Sequence, residues 1–138
     1  MRLHKDAKVD LISHVPLFAH CSKKELRSIA SLADEIDLPE GKMLIKEGDR
    51  GREFFVLLEG RANVQRKGKS IDTLKNGDFF GEVALVSDAP RNATISALTP
   101  LRVLVIVDRD FKRLLNDAPE IQRKVLVALA DRLAPEAV

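Results

Sequence analysis

Two side chains nine positions apart, Glu82 and Arg91, have the chemistry to hold a phosphorylated sugar. They sit in GDFFGEVALVSDAPRNAT, residues 77–94, a stretch that breaks the strand rhythm on either side of it. Between Gly81 and the breaker Ser87-Asp88-Ala89-Pro90 there is room for one helical turn. A glycine just ahead of such a turn leaves backbone N–H groups without partners, and their direction favours an anion. Ala84 is small enough to let a ligand approach the backbone. Arg91, followed by small Ala93, offers a planar fork suited to phosphate oxygens, and Glu82 is an acceptor suited to a sugar hydroxyl. These residues ask for a phosphate and a hydroxyl close together, and a nucleotide is the natural candidate. Spacing alone leaves one alternative open: Glu82 and Arg91 could form an ion pair across a loop, as surface charges commonly do.

The elements that must position this stretch fall into three groups. Residues 8–34 read as a short helix, a break at Pro16 and a second helix. Ser22 and Glu25 form a capping-box signal ahead of Leu26, Ile29, Ala30, Leu32 and Ala33 at helical spacing. Residues 35–107 read as short strands at 35–38, 43–46, 53–58, 61–66, 70–74, 94–98 and 102–107, separated by Gly and Pro signals. Turn signals at this frequency suggest a small all-β barrel or jelly roll. The runs 53–58 and 102–107 are almost continuously apolar, as in strands covered on both faces, whereas 61–66 alternates and should have a wet side. Residues 108–134 return to helix: Asp108 caps a segment ending near Asn116, Asp117 with Glu120 and Pro119 starts another, and Pro135 ends it.

Composition narrows the function classes. The chain of 138 residues has the length of one domain, and Lys and Arg exceed Asp and Glu by only two, 23 against 21. The basic residues are scattered among acidic ones, and there is no Trp or Tyr for base stacking, so direct nucleic-acid binding is not expected. No apolar run approaches the roughly 20 residues of a membrane-spanning helix, and charges interrupt the N-terminus before a signal segment could form. The expectation is a soluble cytoplasmic protein without membrane insertion. Cys21, the one cysteine, excludes a disulfide framework and a Cys-rich zinc site.

The segment Phe80-Gly81-Glu82-Val83-Ala84-Leu85, a gap of five residues and then Arg91-Asn92-Ala93 resembles the phosphate-binding cassette of the cyclic nucleotide-binding domain family. A second family motif matches upstream, where Leu44-Ile45-Lys46-Glu47-Gly48-Asp49-Arg50-Gly51 leads into Phe54-Phe55-Val56-Leu57 and Gly60. The resemblance covers almost the whole chain. It implies a mainly β fold: a double-stranded β-helix jelly roll, or β-roll, with N-terminal helices and two C-terminal helices, forming a single domain over 1–138 with its cassette at 80–94. It implies a ligand, cyclic AMP or cyclic GMP, and no catalytic residue, metal or further cofactor. By this resemblance Glu82 accepts from the ribose 2′-hydroxyl, Arg91 pairs with the cyclic phosphate, and backbone amides near Gly81, Ala84 and Asn92 complete the cradle. Phe80, Val83, Leu85 and Ala93 belong to the same ligand-binding set. Gly48, Gly51 and Gly60 are implied to be structural, permitting turns with positive φ. Asn92 departs from the Ala, Ser, Thr or Gln usual after the arginine, which bears on the choice of purine.

The expected function is a regulatory module that binds cyclic nucleotide, cyclic AMP before cyclic GMP, and signals by movement of its C-terminal helices. A cupin-type enzyme would need histidines on the barrel, yet His4, His14 and His20 all precede it. A transcription factor would need residues beyond Val138. A degenerate roll serving only for docking or dimerisation is the remaining alternative. Ile121, Val125, Ala128, Leu129 and Leu133 form a stripe on the last helix, with Leu126 and Val127 beyond it. That stripe could pair with its copy in a homodimer or pack inside the monomer.

Overall fold

The computed structural model describes residues 3–133, with side chains as far as Asp131. In chain order it contains α1 (Lys5–Ser13), a 3-10 turn (Pro16–Phe18), α2 (Lys23–Ala30), β1 (Asp34–Leu38), β2 (Met43–Ile45), β3 (Glu53–Glu59), β4 (Ala62–Arg66) and β5 (Lys69–Leu74). There follow β6 (Phe79–Phe80), a second 3-10 turn (Glu82–Leu85), β7 (Thr94–Ala97), β8 (Leu101–Val107), α3 (Asp108–Asp117) and α4 (Pro119–Leu133). The strands make two antiparallel four-stranded sheets, ordered β1-β8-β3-β6 and β2-β7-β4-β5. This is the expected β-roll flanked by helices at both ends.

The apolar runs of β3 and β8 follow from a core in two parts. Phe54 and Val56 of β3, with Leu104 and Ile106 of β8, face the helices and pack with Ile12, Phe18, Ile29 and Phe111. The alternate residues Phe55, Leu57, Leu101, Val103 and Val105 face the other way, into the space between the sheets, with Ile45, Ala62, Phe80 and Ile95. Successive side chains of a strand point to opposite faces, so strands covered on both sides need the continuous apolar sequence they have.

The helices are secured by polar contacts as well as packing. Ser22 Oγ accepts the Glu25 N–H at 3.2 Å and Glu25 Oε1 accepts the Ser22 N–H at 2.8 Å, completing the capping box. Two bonds attach α4 to the N-terminal half: Lys124 Nζ to Glu25 Oε1 and His20 Nε2 to Asp131 Oδ2, each at 2.6 Å. Ile121, Val125 and Ala128 are buried and Leu129 packs partly against them, so most of the α4 stripe is satisfied inside the monomer. Leu126 and Val127 remain exposed, while the side chain of Leu133 and all of Pro135 lie outside the described residues.

Three local expectations are corrected. Phe79–Phe80 is a strand, paired with Phe55 and Val56, where the sequence reading had none. Asp117 does not open α4. It ends α3, and the Ala118 carbonyl accepts the first α4 amides, from Ile121 at 3.0 Å and Gln122 at 3.2 Å. Asp108 lies inside α3 rather than before it, with Val107 at the capping position. Among the described residues no helix is long and apolar enough to cross a membrane.

Candidate functional site

The site begins where β6 ends. Phe80 pairs with Phe55 across the strands, and their rings stack with centroids 5.1 Å apart and planes 16° from parallel. That contact fixes the point from which the chain turns. Gly81 makes the turn in the left-handed region, φ +83°, which a residue with a Cβ enters only with strain. The 3-10 turn follows, anchored by buried Ala84 and by Leu85, which is fully enclosed in the core shared with Phe111. The Ala84 N–H closes the turn on the Gly81 carbonyl at 3.1 Å, so in this conformation it is already engaged. Glu82 is half-buried and Val83 is 51% exposed.

Arg91 is held at both its backbone and its guanidinium. Its N–H donates to the Asp49 carbonyl at 2.7 Å, and its carbonyl accepts the Gly48 N–H at 2.8 Å. Arg50 and Pro90 add a β-bridge beside these bonds. Arg91 Nη2 donates to the Glu53 carbonyl at 2.6 Å and Nη1 to the Gly81 carbonyl at 3.4 Å. The two sequence motifs, far apart in the chain, therefore meet at this residue. Burial pushes the Arg91 pKa down from its ordinary value, with the nearby Glu53 carboxylate acting in the opposite direction. A guanidinium nonetheless stays charged, and partial desolvation strengthens its attraction for an anion. No ion pair joins Arg91 to Glu82 among the described residues, so the loop-pair alternative is not what this structure contains.

The glycines of the upstream motif divide into two roles. Gly48 and Gly60 adopt positive φ, +89° and +109°, as implied. Gly51 does not, contrary to expectation: it leaves space for Arg91, since a Cβ there would lie 2.6 Å from Arg91 Nε.

A cavity of about 650 Å³ opens between the 3-10 turn, residues 89–93 and the β4–β5 hairpin. Phe80, Gly81, Glu82, Val83, Ala84, Arg91, Asn92 and Ala93 line it. Leu85 does not, because it points into the core below the turn. The opposite wall, absent from the sequence reading, is Ile45, Val64, Arg66, Ile71, Asp72, Leu74 and Ile95. Arg66 Nε donates to the Asn92 carbonyl at 2.9 Å and so bridges the hairpin to the arginine segment. Val64 pairs with Asp72 and Gln65 with Ser70, which leaves Ile71 as an extra residue in a bulge. The bulge lets both Ile71 and Asp72 reach the cavity. Alternation along Ala62-Val64-Arg66 could have identified the β4 side of this wall.

The profile of the cyclic nucleotide-binding domain matches residues 35–118. The chain belongs to the cyclic nucleotide-binding domain family. The cAMP-dependent protein kinase regulatory subunit of Emericella nidulans is 37% identical over 115 residues, covering 82% of this chain and 28% of that protein. This domain thus spans about a quarter of the length of the curated relatives it matches. The N-terminal domain of a transcriptional regulator from Streptomyces coelicolor A3(2) superimposes with a TM-score of 0.83 at 29% identity, over 92% of this chain and 94% of that one. A cAMP-bound PfPKA-R structure superimposes with a TM-score of 0.67 at 33% identity, over 91% of this chain and 47% of that one. The curated relatives this domain matches at this level are regulatory subunits of a cAMP-dependent protein kinase.

Proposed function

We propose that the 650 Å³ cavity binds a cyclic nucleotide, cyclic AMP in preference to cyclic GMP, and that residues 1–138 work as one regulatory module. The observation that carries this reading is Arg91: a half-buried guanidinium at the cavity wall, held by two carbonyls and given room by Gly51 and Gly81. Arg91 takes the cyclic phosphate, and Glu82, on the same wall, accepts from the ribose 2′-hydroxyl. The cAMP-bound relative supports the choice of nucleotide. The preference is modest. Asn92 offers a side-chain carbonyl to a guanine 2-amino group, but one hydrogen bond nets only about 0.5–1.5 kcal/mol. Cyclic GMP is therefore bound within about two orders of magnitude of cyclic AMP.

Ligand occupancy is transmitted to the C-terminal helices through the floor of the 3-10 turn. Leu85 shares its core with Phe111 of α3, so a displacement of the turn has to be accommodated by that helix. A homodimer through α4 would rest on Leu126 and Val127, which lie beyond the stripe, since Ile121, Val125 and Ala128 are spent within the monomer.

Calorimetric titration of the purified chain with cyclic AMP, cyclic GMP, AMP and ATP tests this reading, with Arg91→Ala alongside. The cyclic nucleotides should bind and the linear ones should bind far more weakly. Arg91→Ala should lose about 2–5 kcal/mol of affinity, the usual cost of truncating one partner of a desolvated charge pair. A folded Arg91→Ala chain that binds within threefold of the parent would refute the assignment.

A further inference from the structure

Helix α3 has one face that the cavity does not use. Arg109, Lys112, Arg113 and Asn116 recur at helical spacing on the side opposite Phe111, and all four are exposed. Arg52, at the foot of β3, lies beside them, because its carbonyl accepts the Asp108 N–H at 2.8 Å. With Asp108 these residues line a groove of about 490 Å³.

The charge in this groove is unbalanced. Its one carboxylate, Asp108, has a side chain only 13% exposed. It is occupied by the Arg109 N–H at 2.7 Å and by Lys112 Nζ at 3.6 Å. Lys112 also lies 3.7 Å from Asp88. Among the described residues no carboxylate comes within ion-pair distance of Arg52, Arg109 or Arg113, although Asp110 and Asp117 are on the same helix. A chain whose net charge is only +2 thus gathers around one concavity three arginines that have no carboxylate partner among the described residues.

Local rules disfavour that arrangement. Arg109 and Arg113 are like charges at i,i+4, which weakens a helix. Arg109 also stands in the first turn, where the helix dipole prefers an anion. Violations of local preference with no compensating contact inside the fold mark places selected for something else.

We infer that the Arg52–Arg109–Arg113 groove is a docking surface for an acidic polypeptide segment, whose carboxylates the three guanidinium forks receive. Arginine suits this role because its planar donors meet a carboxylate two at a time. The dimensions also favour a peptide over a nucleic acid. The basic face is one ten-residue helix, about 15 Å long, and no aromatic side chain lines the groove to stack a base.

Fluorescence anisotropy with a labelled Glu- and Asp-only peptide, at a physiological ionic strength of about 0.15 M, tests the inference on the full chain. Saturable binding is expected. The double variant Arg109→Glu/Arg113→Glu should weaken it by at least about tenfold. Lys69→Glu/Lys75→Glu, the same change in charge on exposed residues elsewhere, should leave it nearly unaltered. Thermal melts check that each variant is folded, and Arg52→Gln gives a milder second reading. Absence of saturable binding, equal losses in the two double variants, or tighter binding by a single-stranded oligonucleotide of matched charge would each overturn it. None of these outcomes depends on what fills the 650 Å³ cavity.

Discussion

Gly51 lies in the path of the Arg91 side chain: a Cβ at Gly51 would stand 2.6 Å from Arg91 Nε, 2.7 Å from Cζ and 2.9 Å from Cδ. The clash falls on a flexible side chain, so it displaces the guanidinium without breaking the fold. Gly51→Ala should melt close to the parent temperature and lose at least about tenfold in cyclic AMP affinity. Unchanged affinity would mean that the observed guanidinium position is not the one that binds.

Gly60 provides the contrast. Its φ is +109°, and a Cβ there would meet the Pro100 carbonyl oxygen at 2.5 Å, which is backbone and cannot swing aside. Gly60→Ala should cost about 1–3 kcal/mol of stability, read by urea denaturation. Affinity per folded molecule should stay at the parent value. A stable variant with lost affinity would reverse the two assignments.

Glu82→Gln keeps an acceptor oxygen but removes the charge. Affinity for cyclic AMP should fall less than in Arg91→Ala, and discrimination against the 2′-deoxy analogue should narrow. Calorimetry with both ligands gives the ratio directly, and an undiminished ratio would exclude Glu82 from the ribose.

Stability should carry a signature of Glu25. The hydrogen bond from Lys124 and the one from the Ser22 N–H hold the Glu25 pKa below its ordinary value. A lowered folded pKa contributes stability that is fully present above the unfolded value, about 4.3. That stability is lost as pH falls through the lower, folded value. Melting temperatures of the parent and Glu25→Gln should therefore differ most near neutrality and converge in acid. A difference independent of pH would show that the carboxylate's charge is not the source.

What was legible in the sequence, and what was not, follows from the range of each signal. Glu82 and Arg91 stand out because their types and order are local and unusual, and the capping box of Ser22 and Glu25 involves only neighbouring residues. Continuous apolar runs identify β3 and β8, since burial on both faces removes the alternation. Phe79–Phe80 escapes because a two-residue strand exists only by virtue of its partner, and here that partner is Phe55–Val56. Ile71 and Asp72 escape because the bulge breaks the period of two on which strand reading depends. Asp117 carries an N-cap signal but is kept within α3, whose packing on the core decides where the helix stops. Gly51 reads as a turn residue until the side chain crossing it is known.

The two backbone bonds that fasten Arg91 to Gly48 and Asp49 also bear on how quickly the site can respond. With the main chain clamped, the guanidinium can adjust to the anion proposed for this site only by torsion about its own side-chain bonds, close to where the Glu53 and Gly81 carbonyls hold it. Such rotations take picoseconds to nanoseconds, whereas loop rearrangements extend to microseconds. On the proposed reading, a slow relaxation after mixing with cyclic AMP would therefore report on the 3-10 turn and α3 rather than on the main chain at Arg91.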